Sequence, residues 1–166
     1  MDIKQLTKAC MVGDIAKVEA ILAEGEVDAN NVDDGGCTPL YYAMMFNHPN
    51  IVSKLLATVD IKVDVTDSYG ETGLHEACGN NNVECVKLFT KDKRCTPDVL
   101  NMRDNNGESA VMAAVKRGHL ESVRAMAAVP GIDFSARNSE GLTMIDLARK
   151  HDHQQIVQFM EERNFV

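Results

Sequence analysis

Leu6, Leu40, Leu74, Val111 and Ile145 stand at intervals of 34, 34, 37 and 34 residues. A fixed period of this length constrains the fold more than any other feature, because a unit too small to bury its own apolar face must stack on copies of itself. Three or four positions on come small or slim residues: Ala9 and Cys10, Ala43 and Met44, Ala77 and Cys78, Ala114 and Val115, then Ala148. They let a neighbouring helix approach. Turn formers follow in each unit, Gly13-Asp14, Asn47-His48, Asn81-Asn82, Gly118-His119 and Asp152-His153, and end one short helix before the next begins. A second apolar stripe then runs at three- and four-residue spacing, as in Ile51, Val52, Leu55 and Leu56 or Ile156, Val157, Phe159 and Met160. Such spacing marks one buried face of a helix.

Every unit after the first opens on a turn: Asp33 to Gly36, Asp67 to Gly70, Asp104 to Gly107 and Asn138 to Gly141. Asp or Asn at the first place bonds its own backbone, and Gly at the fourth accepts a positive φ. A cap follows, in Thr38-Pro39, Thr72-Gly73, Ser109-Ala110 and Thr143-Met144, where a hydroxyl serves orphan N–H groups and Pro39 suits a first helical turn. The pattern D-x-x-G-x-T-P-L-x-x-A, with two short helices and a hairpin loop per unit, resembles the ankyrin repeat. Asp33 to Ala43 is the closest match, Asp67 to Ala77 has Gly73 for proline, and the fourth and fifth units are looser. The resemblance implies an all-α solenoid of helix-turn-helix units joined by β-hairpin-like loops. It predicts one domain over 1–166, with an N-cap at 1–32, repeats at 33–66, 67–103 and 104–137, and a C-cap at 138–166. Starting and stopping at repeat boundaries favours excision from a larger protein.

The interval of 37 arises in the stretch from Lys91 to Leu100. One reading is a lengthened hairpin loop, whose trimming by three residues leaves melting unchanged. The other is a partner contact carrying the most basic local run of the chain.

Residues 1–90 hold 14 acids against 6 bases, while 91–166 hold 11 of each. No cluster of Lys and Arg suits nucleic acid or an anionic membrane surface, no apolar run spans a bilayer, and Met1 to Thr7 is no signal peptide. Cytoplasm or nucleus is the expected location. Five cysteines without a C-x-x-C pair argue for reduced thiols over disulfides or zinc. His75-Glu76 is half of a zinc-protease helix whose other half is missing, and His75 fits the histidine that ankyrin repeats use to bond neighbouring hairpins. His48, His119 and His153 share one repeat position, so one turn or inter-repeat hydrogen bond explains all three. His151 and His153 are expected on different sides of a helix, which disfavours a metal. Gly35-Gly36 lacks the lysine and strand-to-helix setting of a phosphate loop. No nucleophile, base and orienter set exists, so neither catalysis nor a cofactor is expected.

A stacked solenoid leaves a concave face of hairpin tips and first-helix sides for recognition. The repeat places Asp34, Cys37, Tyr42, Met45 and Phe46 there from the second unit, and Ser68, Tyr69, Glu71, Glu76 and Asn80 from the third. Asn105, Asn106, Glu108, Lys116 and Arg117 come from the fourth. Aromatics flanked by acids predict a hot spot for another protein, although Tyr41 and Phe46 could instead fold back onto neighbouring repeats. The expected module is a monomeric scaffold. Two alternatives are a regulator similar to the small cyclin-dependent-kinase inhibitors, which shorten the second unit's first helix, and a structural spacer. Leu22, Asp28 and Asn30 also resemble the loop pattern of ankyrin-repeat asparaginyl hydroxylation, against a plain turn-stabilising role for Asn30.

Overall fold

Pairs of short antiparallel helices recur along the chain as the period predicts. The computed structural model describes residues 3–165, and among them are α1 (Ile3–Val12), α2 (Ile15–Glu24), α3 (Pro39–Met45), α4 (Pro49–Leu56), α5 (Gly73–Gly79) and α6 (Val83–Thr90). A short α7 (Pro97–Leu100) precedes α8 (Ala110–Lys116), α9 (Leu120–Ala127), α10 (Met144–Lys150) and α11 (Gln154–Glu162). An inner row, α1, α3, α5, α8 and α10, packs each helix on the next, and α2, α4, α6, α9 and α11 form the outer row. Ala43, Ala77, Ala114 and Ala148 are fully buried at the close approaches, and Leu6, Leu40, Leu74 and Val111 fill the space between repeats. α3 has the same seven residues as α5, α8 and α10. The shortened helix of the kinase-inhibitor resemblance is therefore not found here.

The hairpin loops link the units through backbone bonds in one register. Ser68 N–H donates to Gly35 O at 3.0 Å, Asn105 N–H to Tyr69 O at 2.9 Å and Ser139 N–H to Asn106 O at 2.9 Å. Within each turn the first carboxylate or amide oxygen accepts from the third and fifth N–H groups, as Asp67 does from Tyr69 and Glu71. Gly70 is required twice over: its φ is +79°, and a Cβ there would sit 3.1 Å from the Asn105 nitrogen.

The stops between paired helices are left-handed, with Gly13, Asn47, Asn81, Gly118 and Asp152 all at positive φ. Beside them His48, His119 and His153 share one turn, each N–H donating to the buried alanine of its own inner helix at 2.9 Å, but only two share an inter-repeat ring bond. His48 Nε2 bonds Met11 O at 3.1 Å and His153 Nε2 bonds Lys116 O at 3.0 Å. Each ring occupies the space that a Cβ on Gly13 or Gly118 would take, at 2.6 and 2.7 Å. His119 follows a repeat with Asn81 at that place, and it makes no such bond among the described residues. The Asn81 side chain instead accepts from Ser122 Oγ at 2.9 Å. His151 and His153 also depart from expectation: both lie outside the helices, and their rings stack 6.1 Å apart.

The stretch from Lys91 to Leu100 is built into the fold and is not a loose loop. Cys95 and Leu100 are buried, and α7 lies within it. Arg94 reaches back to α4, donating to Leu56 O at 2.5 Å and Thr58 O at 3.0 Å while Asp92 holds it at 2.7 Å. Asn30 has a comparable linking role, donating to Asp60 O at 2.9 Å and accepting from Lys62 N–H at 2.7 Å.

Candidate partner-binding face

Hairpin tips and the last turns of the inner helices form one open face, while the opposite sides of the inner helices pack on the outer row. Thr38 Oγ1 caps α3 by accepting from Tyr41 N–H at 3.1 Å, which fixes where Tyr41 and Tyr42 leave the backbone. Tyr41 turns inward, buried, with its hydroxyl on Asp67 at 2.9 Å. Tyr42 stays half-exposed, donates to Asp33 at 2.6 Å and stacks on Phe46 with centroids 6.2 Å apart. Against the raising effect of burial, bonds from Tyr42 and from the N–H groups of Cys37 and Gly35 hold the Asp33 carboxyl below its usual value.

Most of the expected face is accessible. Asp34, Phe46, Ser68, Tyr69, Asn80, Asn105, Asn106, Lys116 and Arg117 are exposed, with Met45, Glu71 and Glu76 half-buried. Two residues do not belong to it. Cys37 is buried, and its N–H bonds the Asp33 carboxylate. Glu108 is buried as well, held by Lys116 Nζ at 3.1 Å and approached by Asn138 Nδ2 at 3.4 Å. Of the two aromatics for which folding back is the alternative, Tyr41 is buried and Phe46 remains 43% exposed.

His75 joins neighbouring units. Its Nδ1 accepts from Thr72 N–H at 3.1 Å, so the proton lies on Nε2, which donates to Glu108 O at 3.1 Å. Burial lowers its pKa. All five cysteines are free and buried, and burial pushes Cys10 and Cys95 up to about 12, so these thiols stay protonated at neutral pH. Among the described residues no group of three His, Cys, Asp or Glu could hold a metal, and no helix is long and apolar enough to cross a membrane.

Electrostatically the middle of the face is negative. Glu71 is raised by burial first and then by Glu76, Asp67 and Asp104, with Arg117 acting against them. Arg117 itself donates to Gly79 O and to Asn80 Oδ1, both at 3.0 Å. The repeat reading missed the near end of the face, where a cavity of about 580 Å³ opens between α1 and the first hairpin. Met11 and Val12 border it, in register with Met45 and Phe46 at a spacing of 34. That spacing was the signal available in the sequence.

A family model described as ankyrin repeats in three copies matches residues 6–99. The chain is similar to mouse B-cell lymphoma 3 protein homolog, 28% identical over 155 residues that cover 90% of this chain and 34% of that protein. Human SMC5-SMC6 complex localization factor protein 1 is 27% identical over 154 residues, covering 93% of this chain and 14% of the relative. An ankyrin repeat-containing protein of Schizosaccharomyces pombe is 27% identical over 101 residues, 60% of this chain and 42% of its own length. The chain thus spans less than half of each of these relatives.

Proposed function

Because the chain belongs to the ankyrin-repeat family, whose repeats are generally protein–protein interaction modules, we propose that it binds another protein through the face of hairpin tips and inner-helix ends. The observation that carries this reading is the exposure of Tyr69 and Phe46, 69% and 43%. The Tyr69 backbone serves the fold, its N–H bonding Asp67 and its carbonyl accepting from Asn105. Its ring projects outward. Rigid rings of this kind contribute about 2 kcal/mol or more at the best interface positions. A structural spacer has no use for them.

On this reading the chain is a monomeric, non-enzymatic scaffold of the cytoplasm or nucleus, with no role at nucleic acid or membranes. The human relative, named as a localization factor for a complex, supports the same kind of task. The test is capture and cross-linking with the full chain as bait, followed by mass spectrometry, beside a Tyr69→Ala/Phe46→Ala variant whose helicity is checked by circular dichroism. A specific partner is expected to be lost from the variant. Equal capture by both proteins refutes the assignment.

A further inference from the structure

Resting on that reading of the open face, we propose that the groove between α1 and the first hairpin docks a short segment of the partner in which apolar residues are followed by Lys or Arg. Met11, Val12 and Val32 are exposed by 39%, 66% and 47% along one groove. Single exposed apolar residues need no explanation, whereas these three share one cavity, a setting in which the apolar side chain of a ligand can be buried.

The row of inner-helix ends says which part of a ligand fits where. In repeat order it reads Met11-Val12, Met45-Phe46, Gly79-Asn80, Lys116-Arg117 and Lys150-His151. Along this row of helix ends the apolar side chains are those of the first two units, and cationic side chains would be repelled at the last two. Charge supplies the orientation. Lys4 and Lys8 line the α1 wall of the groove, Asp33 and Asp34 line the hairpin wall, and Glu71 and Glu76 follow on the next unit with the mutual repulsion already described. The apolar end of the segment lies against α1 and its basic end extends over the third repeat. Packed helices sit about 8–10 Å apart, so two repeat steps are roughly 16–20 Å, which an extended chain covers in about six residues at ~3.3 Å each.

The experiment titrates the isotopically labelled full chain with three synthetic peptides and follows backbone amides by NMR. The first peptide joins a Leu/Phe half to a Lys/Arg half, the second replaces every Lys/Arg by Glu, and the third replaces every Leu/Phe by Ser. The first is expected to shift the amides of Met11, Val12, Val32 and Glu76 and to bind about tenfold more tightly than the others, the ratio that one good anchor confers. Val12→Asp and Val32→Ser should each remove most of that advantage with helicity kept, and Lys116→Glu should not. If the acidic peptide binds equally, or the shifts gather around Lys116 and Arg117, the groove assignment falls while the open face stands. Shifts away from the face overturn both. No shift with the first peptide, or concentration-dependent shifts of the same amides without peptide, which would identify a second copy as the occupant, also overturns the proposal.

Discussion

Arg94 offers the sharpest test of how the long interval is used. Its guanidinium meets the carbonyls of Leu56, the last residue of α4, and of Thr58 just beyond it, where helix carbonyls lack partners along the helix, and it places positive charge at the negative end of the helix dipole. The side chains of Arg94 and Asp92 are only 25% and 15% exposed, so water cannot fully replace these bonds. A charge-assisted hydrogen bond contributes about 1.5–3 kcal/mol. Arg94→Ala deletes at least two of them, with partial rescue by solvent, giving a net loss of about 2–3 kcal/mol. For a chain of this size each kcal/mol moves the midpoint by roughly 2–4 °C, which predicts a fall in Tm of about 4–12 °C by circular dichroism. Arg94→Lys keeps the charge without the fork and should lie between. The exposed neighbour changed in Lys93→Ala should stay within ~0.5 kcal/mol of the parent. If Arg94→Ala melts with Lys93→Ala, the segment is a dispensable loop after all and its role in joining repeats is wrong.

Gly70→Ala forces a Cβ onto the Asn105 backbone, whereas Gly141→Ala meets an equally positive φ, +78°, with nothing within 4 Å. Urea unfolding should show the first costing about 2–3 kcal/mol and the second about 1; equal costs would mean that inter-hairpin contact does not decide this position. His75 is held neutral by burial, so the unfolded imidazole binds a proton that the folded one refuses, and stability is complete above the ordinary value of 6.5 and declines as pH falls below it. Carboxylates held low, such as Asp92 and Asp146, lose their contribution only below 3.8, and Glu71, raised above 4.5, gives a slope of the opposite sign, so the difference between the parent and His75→Gln over about pH 5 to 6.5 reads the histidine. His75→Gln should flatten that window, and an unchanged slope would assign it elsewhere.

What the sequence made legible is what each unit settles by itself. The Asp-x-x-Gly turns, the Thr caps and the two apolar stripes depend on neighbours a few residues away, so the helix pairs, the hairpin register and the burial of Ala43, Ala77 and Ala114 could be read directly. What it concealed depends on the next unit. Cys37, Glu71 and Glu108 share one place in the turn, yet only Glu71 stays half-exposed, since Lys116 and Asn138 close over Glu108. His119 has the same local setting as His48 and His153 but follows Asn81 instead of a glycine. The informative unit is a pair 35 residues apart, Gly13 with His48 or Gly118 with His153, and where Asn stands first, a bond such as Asn81 to Ser122 replaces the histidine bond. The same logic governs the binding face. A side chain can recognise a partner only if no adjoining unit has taken it, which removes Tyr41, Cys37 and Glu108 and leaves Tyr69, Phe46 and the apolar end of α1 as the proposed contacts.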